Sequence, residues 1–333
     1  SWTPDKVHNH QILAPLATNM PDNPRPPHDR GSKLWDASEG PSRLLLSSMD
    51  RWTSALLADD GVDMPFMGGS DNINAKIIAK SSGILAGCAA VDHMIQIWAG
   101  SLQISWSHGE GRSVGSGDEI ATISGDKEAV LALERTILNI LGQLSGIATE
   151  AKKWSSKAPG QIACTRKTIW GLLDKWAVHL GGGLTHRLTK QDAVMIKEND
   201  LAVMYPEIEN NGARISKYLG EVNPDECGAF IEVEVREEKE AIMAAFTWSE
   251  RRMMNGYDRL VIMLDNFNPE RCKAVADELA EMGLREHVVL EASGGILLEN
   301  IEDWRECGLD VLSTSTINRG TTPLDLSMLV EEL

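Results

Sequence analysis

Apolar positions along this chain change period several times, and each change marks an element. From Gly40 to Ala58 the segment SRLLLSSMDRWTSALLAD carries its apolar residues at helical spacing. INAKIIAKSSGILAGCAAVDHMIQIWAG then reads as strand, turn, strand and the start of a helix. In SLQISWSHGEGRSVGSGDEIATISGD, alternating runs are broken by Gly109, Gly111, Gly115 and Gly117, the mark of a β-meander. A phosphate-binding reading of those glycines lacks the helix N-terminus that should follow at once. KEAVLALERTILNILGQLSGIATEAKKW is the strongest helical pattern, with Leu131, Leu133, Ile137, Leu138 and Leu141 on its apolar stripe. Arg135 lies within it beside Glu134, where an intrahelical or surface ion pair is the plain expectation.

Beyond Gly160 the period shortens. Apolar runs at 161–165, 193–197, 229–235, 259–264, 287–292 and 310–314 have the length of buried parallel strands. Helical patterns at 171–179, 201–219, 237–254, 269–282 and 297–307 separate them. That alternation predicts a β/α barrel. Residues 1–40 carry Pro4, Pro15, Pro21, Pro24, Pro26 and Pro27 with little periodicity and read as an extended arm, free or packed on the body. The expected organisation is an arm over 1–40, an α/β domain over 41–155 and a barrel over 156–333.

Length and composition narrow the function. A chain of 333 residues with 42% apolar residues can bury a substantial core. Its net charge of -17 argues against nucleic acid, which needs a basic face, and against docking on an anionic membrane. Any anion site must be local. Cys88, Cys164, Cys227, Cys272 and Cys307 show no CxxC pair and no zinc spacing, as expected of reduced thiols in a cytoplasmic protein. No run reaches the length of a membrane span, and the start has no signal-peptide core. His8 and His10 have no third ligand nearby and make a poor metal site.

Against that acidic background, residues 162–199 concentrate Arg166, Lys167, the run Gly181-Gly182-Gly183, His186, Arg187 and Lys197. Arg166, Lys167 and Lys197 directly follow predicted strands, and carboxyl ends of parallel strands are where such folds bind ligands. Arginine grips carboxylate or phosphate with two bonds and lysine supplies a point charge, so the cluster suits a ligand with several negative charges. Glu232 and Glu234 alternate in IEVEV and share one side of the strand, while Asp265 follows LVIML. Such carboxylates suit Mg²⁺ bridging to diphosphate, or else salt bridges to Lys167 or Lys197. Ser293-Gly294-Gly295 after VVLEA lets backbone approach a phosphate.

TRKT at 165–168, GGG-x-x-HR at 181–187 and DAVMIKEND at 192–200 resemble the core motifs of the quinolinate phosphoribosyltransferases. The likeness continues through ERTILNILGQLSGIAT, IEVEV, VIMLDNF, LEASGGI and DVLSTSTI, in order, over about residues 50–330. It implies an α/β fold: an N-terminal α/β sandwich domain plus an incomplete β/α barrel of fewer than eight strands, open on one side and closed by a partner subunit. It implies transfer of ribose 5-phosphate from phosphoribosyl diphosphate to quinolinate with loss of CO₂, in NAD biosynthesis. By the motifs, Arg135 of a homodimer partner, Arg166, His186, Arg187 and Lys197 would bind quinolinate. Lys167, Glu234, Asp265 and Ser293-Gly294-Gly295 would handle phosphoribosyl diphosphate and Mg²⁺, with Thr165 and Ser315 also at the substrate. Three features depart from the family pattern: Trp170-Gly171-Leu172-Leu173 after TRKT, Ser315 in place of a glycine, and a long connection from Glu234 to Asp265. Nicotinate or another aromatic acid as acceptor, a Schiff-base lyase using Lys197, and a plain anion-binding barrel are the other readings.

Overall fold

The computed structural model describes residues 25–331. His8, His10 and most of the prolines of the expected arm lie outside them. The described part of the arm is not simply extended. Gly31–Lys33 makes one 3-10 turn, and β1 (Trp35–Asp36) pairs antiparallel with β2 (Gly40–Pro41). Trp35 stacks on Trp176 at 5.3 Å and 10°, fastening this hairpin to the barrel half of the chain.

The N-terminal half follows its patterning. α1 (Arg43–Asp59) is capped by Ser42, whose hydroxyl accepts from Leu45 N. β3 (Asn72–Ala79), β4 (Gly83–Ile84), α2 (Cys88–Trp98), β5 (Gln103–Trp106), β6 (Ser113–Val114) and β7 (Glu119–Asp126) come next, as the glycine-punctuated runs predict. Asp126 caps α3 (Lys127–Lys157), whose 31 residues bury Leu133, Ile137, Leu138 and Leu141; Leu131, expected on that stripe, is exposed.

Six parallel strands form the second half. They are β8 (Ile162–Ala163), β9 (Val194–Ile196), β10 (Ile231–Val235), β11 (Leu260–Asp265), β12 (Val288–Ser293) and β13 (Val311–Ser313), in spatial order β8-β13-β12-β11-β10-β9. The helices between them are α4 (Leu172–Leu180), α5 (Glu198–Met204), α6 (Asn211–Glu221), α7 (Glu238–Asn255), α8 (Pro269–Glu281) and α9 (Ile301–Arg305). The single helix expected over 201–219 is two, because Pro206 can neither donate a helical hydrogen bond nor clear the preceding turn. The sheet does not close: β8 and β9 are its free edges, an open barrel of fewer than eight strands.

The chain then crosses back. β14 (Leu326–Val330) pairs antiparallel with β3 and becomes the edge of the sheet β14-β3-β7-β5. The segment before it runs against α3 at Gly142 and Gly146, where a Cβ on Gly146 would meet Thr322 O at 2.4 Å. The last strand therefore belongs with the N-terminal sheet and not, as the division at 156–333 would have it, with the barrel.

Alternation sorts the barrel interior into levels. Ala163, Leu184, Ala193, Phe230, Val261, Val289 and Val311 pack together as a separate apolar floor. Climbing β10 from that floor gives Phe230, Glu232 and Glu234; climbing β12 gives Val289, Glu291 and Ser293. Apolar residues thus sit at the bottom, buried carboxylates in the middle, and the strand-end residues of the sequence motifs on top.

Candidate functional site

The strand ends bring most of the expected residues to one face. Thr165, Arg166 and Lys167 follow β8, Lys197 follows β9, Glu234 lies near the end of β10, Asp265 ends β11, Ser293 ends β12, and Ser315 follows β13. Asp265 and Ser293 are register partners, and Asn266 N donates to Ser293 O at 2.8 Å, so the acidic strand end and the Ser-Gly-Gly turn lie side by side. Gly294 and Gly295 have φ of 98° and 69°, conformations that a side chain would strain. Among the described residues, Asn266, at φ 60°, is one of two non-glycine residues with positive φ; the other is His186 at 55°. Both flank the strand-end face, where such backbone strain concentrates in folded proteins.

The cations fall into two groups. Lys197 forms an ion pair with Glu234, whose side chain is only 7% exposed. Arg166, exposed just beyond the end of β8, stands near enough to Arg187 for its charge to act there. Arg187 is buried; its Nη1 donates to Ala193 O at 3.1 Å, its Nη2 lies 3.5 Å from Met195 Sδ, and its Nε has no partner. Burial and then the Arg166 charge pull its pKa down. Among the described residues no carboxylate lies within ion-pair distance of either guanidinium. Glu232 and Asp200 offset part of that charge from a distance, but a buried guanidinium with an orphaned donor, no direct ion pair and a second cation nearby suits an anion.

His186 sits lower than the mouth where its motif suggested it. It is buried, with Nε2 3.3 Å from Glu291 Oε1 and 3.6 Å from Glu232 Oε2. Burial disfavours its imidazolium, but the charges of Glu291 and Glu232 outweigh that and push its pKa up to about 10. Burial also opposes the Glu291 carboxylate, yet His186 and His28 hold its pKa well below the usual range, while burial and Glu291 push that of Glu232 up. One proton-poor and one proton-rich carboxyl thus flank the ring. Ligand atoms of His28, His186, Glu232 and Glu291 lie within 4.8 Å of one another, close enough to hold a metal ion. However, Arg187 N donates to His186 Nδ1 at 2.7 Å, which places the neutral ring's proton on Nε2, facing the carboxylates. The cluster is built as a proton-linked network beneath the arginines.

Sequence reasoning missed the groups that hold these loops. Lys175 is buried; its Nζ donates to Thr185 O at 2.6 Å and Thr165 O at 3.2 Å, joining the end of β8 to the His186 segment. Asn318, fully buried, donates from Nδ2 to Lys167 O at 2.9 Å and Asp174 Oδ2 at 3.2 Å. Asp174 in turn accepts from Ile169 N and Trp170 N, shaping the departure after TRKT. A lysine inside the helical run LLDKWAV was the available signal, since charge on a buried face needs a partner. Arg135 stands apart: it is exposed on α3 and lines a hollow of about 400 Å³ with Trp170, Leu138 and Pro323.

Comparison with known proteins agrees with this geometry. Residues 54–145 match the family described as quinolinate phosphoribosyl transferase, N-terminal domain, and residues 147–329 match its C-terminal domain. The chain is 33% identical over 266 residues to a probable nicotinate-nucleotide pyrophosphorylase [carboxylating] of Methanothermobacter thermautotrophicus, covering 78% of this chain and 88% of that protein. It is 32% identical over 266 residues to the protein of that description from Archaeoglobus fulgidus, covering 78% and 95%. Among solved structures, the nicotinate-nucleotide pyrophosphorylase of Francisella tularensis superposes with a TM-score of 0.71 at 27% identity, covering 86% of this chain and 97% of that one. No helix among the described residues is long and apolar enough to cross a membrane.

Proposed function

The chain belongs to the quinolinate phosphoribosyltransferase family, and from that premise we propose that its strand-end face joins quinolinate to the ribose of phosphoribosyl diphosphate, releasing diphosphate and CO₂ and leaving nicotinate mononucleotide. The observation that carries this reading is the buried Arg187, with an orphaned Nε and no direct ion pair, near the charge of Arg166 in a chain of net charge -17. A pyridine dicarboxylate supplies the missing charge.

Roles follow from position. Arg166 and Arg187 hold the acceptor's carboxylates, with His186 below Arg187 fixing its backbone and Lys197 at the rim. Lys167, Thr165, Ser315 and the Ser293-Gly294-Gly295 turn receive the phosphates. Glu234 and Asp265, on neighbouring strands and next to that turn, fit a hard cation that keeps most of its waters, so they would hold Mg²⁺; when bound, it neutralises charge on the departing diphosphate. Lys197 must then release Glu234, and an acceptor carboxylate beside Lys197 compensates that loss. No side-chain nucleophile is required. The ring nitrogen's lone pair forms the bond to C1 of ribose as the C1–O bond to diphosphate breaks. The quaternised ring then takes up the electron pair left at C2 when the C2–carboxylate bond breaks, and C2 is protonated. The protein's part is orientation and fixed charge.

The assay incubates the protein with phosphoribosyl diphosphate, Mg²⁺ and either quinolinate or nicotinate, following CO₂ and diphosphate. Equal yields of both products from quinolinate are expected. Diphosphate without CO₂, from nicotinate only, would replace the acceptor; neither product would end the reading. Arg135 is assigned to the neighbouring subunit's pocket in a homodimer. Mixing inactive Arg135→Ala and Arg187→Ala chains should then restore about a quarter of wild-type turnover, through the one intact pocket in each mixed dimer. A mixture as inactive as its parents would place Arg135 elsewhere.

A further inference from the structure

The pre-domain segment at Arg25–Lys33 precedes both family matches, which begin at residue 54, yet it is among the best-anchored parts of the barrel half. His28 is fully buried, its Nε2 2.6 Å from Glu291 Oε2, its ring edge-on to His186 at 4.7 Å and tilted on Phe230 at 5.0 Å. Arg30 N donates to Thr185 Oγ1 at 3.0 Å, and that hydroxyl lies 3.3 Å from His28 O. The Arg30 guanidinium forks onto Asp192, with Nη2 2.8 Å from Oδ1 and Nε 3.2 Å from Oδ2. Asp192 also accepts from Leu188 N at 2.8 Å. Gly31 lies so near His179 that a Cβ would overlap its ring at 2.0 Å.

These contacts have a topological meaning. Leu184 extends the β8 edge, since Leu184 N donates to Ile162 O and Cys164 N to Leu184 O. Asp192 lies two residues before the start of β9, the other free edge. Thr185 and Asp192 are therefore the two lips of the open seam, and residues 28–30 touch both. Between the lips lies the segment carrying His186 and Arg187, which meets the sheet through the His186 ring at Glu291 and Glu232. Arg187 is held at its backbone by His186 and at its guanidinium by Ala193 O, one residue beyond Asp192.

We infer that this segment is a built-in part of the acceptor pocket: His28 and Arg30 are positioning residues that close the barrel seam from within the same chain and set where Arg187 stands. His28 acts through Glu291 and His186, Arg30 through Asp192 and Thr185. The inference rests on the reading of Arg187 as an acceptor ligand; the clamp itself does not. Its effect falls on affinity for the aromatic acid, because the clamp's contacts reach the buried middle level, Glu291 and through His186 Glu232, and not the phosphate turn after β12 or the strand-end carboxylates Glu234 and Asp265.

The test uses the full chain with Arg30→Ala, Arg30→Lys and His28→Phe, the last keeping bulk against Phe230. Steady-state kinetics should show KM for quinolinate rising about tenfold in Arg30→Ala and His28→Phe, with kcat and KM for phosphoribosyl diphosphate within about twofold, the signature of lost uniform binding. Arg30→Lys, which keeps charge but not the fork, should fall between. Amide hydrogen exchange in the ligand-free proteins should accelerate about tenfold or more over residues 184–193 and not in β10–β12. Unchanged exchange over 184–193 overturns the clamp. Equal rises in both KM values with exchange loosened throughout the barrel also overturn it, because that is general destabilisation. If the wild-type protein turned over neither acid, the transferase reading would fail, and the exchange comparison alone would still decide whether the clamp exists.

Discussion

Lys175→Met isolates the link between fold and site. The lysine is 2% exposed and, among the described residues, its ammonium makes no ion pair; it donates to the carbonyls of Thr185 and Thr165 and approaches Cys164 Sγ at 3.6 Å. Two charge-assisted bonds at about 1.5–3 kcal/mol each would be lost, leaving Thr165 O without its donor and Thr185 O with only the Cys164 thiol. Against this, methionine fills the same space with no ammonium to hold out of water, an offset of about 1–2 kcal/mol. The balance is a destabilisation of about 2–4 kcal/mol, equivalent to a fall in Tm of roughly 3–6 °C for a chain this long. Because the same two carbonyls flank Arg166 and His186, KM for the acceptor should rise about tenfold as well. Thermal unfolding with parallel kinetics checks both. A variant melting within about 2 °C of the wild type, with unchanged KM, would mean that Lys175 does not couple the two loops and that the hydrogen-bond accounting is wrong.

Two further outcomes test the site's electrostatics. Asp265→Asn should raise the Mg²⁺ concentration needed for half-maximal turnover about tenfold or more while leaving the acceptor KM unchanged; an unaltered Mg²⁺ titration would remove Asp265 from the metal assignment. The pKa of Asp192 is lowered: burial opposes its ionisation, but the Arg30 fork and the Leu188 amide outweigh it. A depressed folded-state pKa gives stability that is complete above the unfolded value of about 3.9 and lost as pH falls through the folded value. The gap in urea midpoint between wild type and Asp192→Asn should therefore hold at neutral pH and shrink below about pH 4. A gap that stays constant down to pH 3 would contradict the shift.

What could be read from the residues alone follows the range of the interactions. IEVEV and LVIMLD announce buried strands within their own few residues, and all six parallel strands lie inside the runs expected for them, Asp265 and Ser293 extending two by one residue. The cationic motifs could be placed because each directly follows such a strand. Helix boundaries failed where a local breaker, Pro206, was passed over, and over 297–307, of which only Ile301–Arg305 is helical. The arm was illegible for a different reason: PRPPHDRG has no period, and the partners of His28 and Arg30 lie 263 and 162 positions away, at Glu291 and Asp192. His186 was assigned to the mouth because its neighbour Arg187 belongs there; the left-handed backbone at His186 turns the two side chains to different levels, and nothing in the letters HR announces that.

The return of β14 to the edge of β3 makes the first folding unit discontinuous, stitched from segments on either side of the barrel, which is spliced into it. A ribosome must therefore release everything from β3 to β14 before that sheet can gain its outermost strand. Until then β3 offers an unsatisfied ladder of amides and carbonyls to any passing strand. A fragment ending near residue 155 is left permanently in that condition, so it should clump where the intact polypeptide stays dispersed, and supplying residues 321–333 as a separate peptide should relieve the clumping.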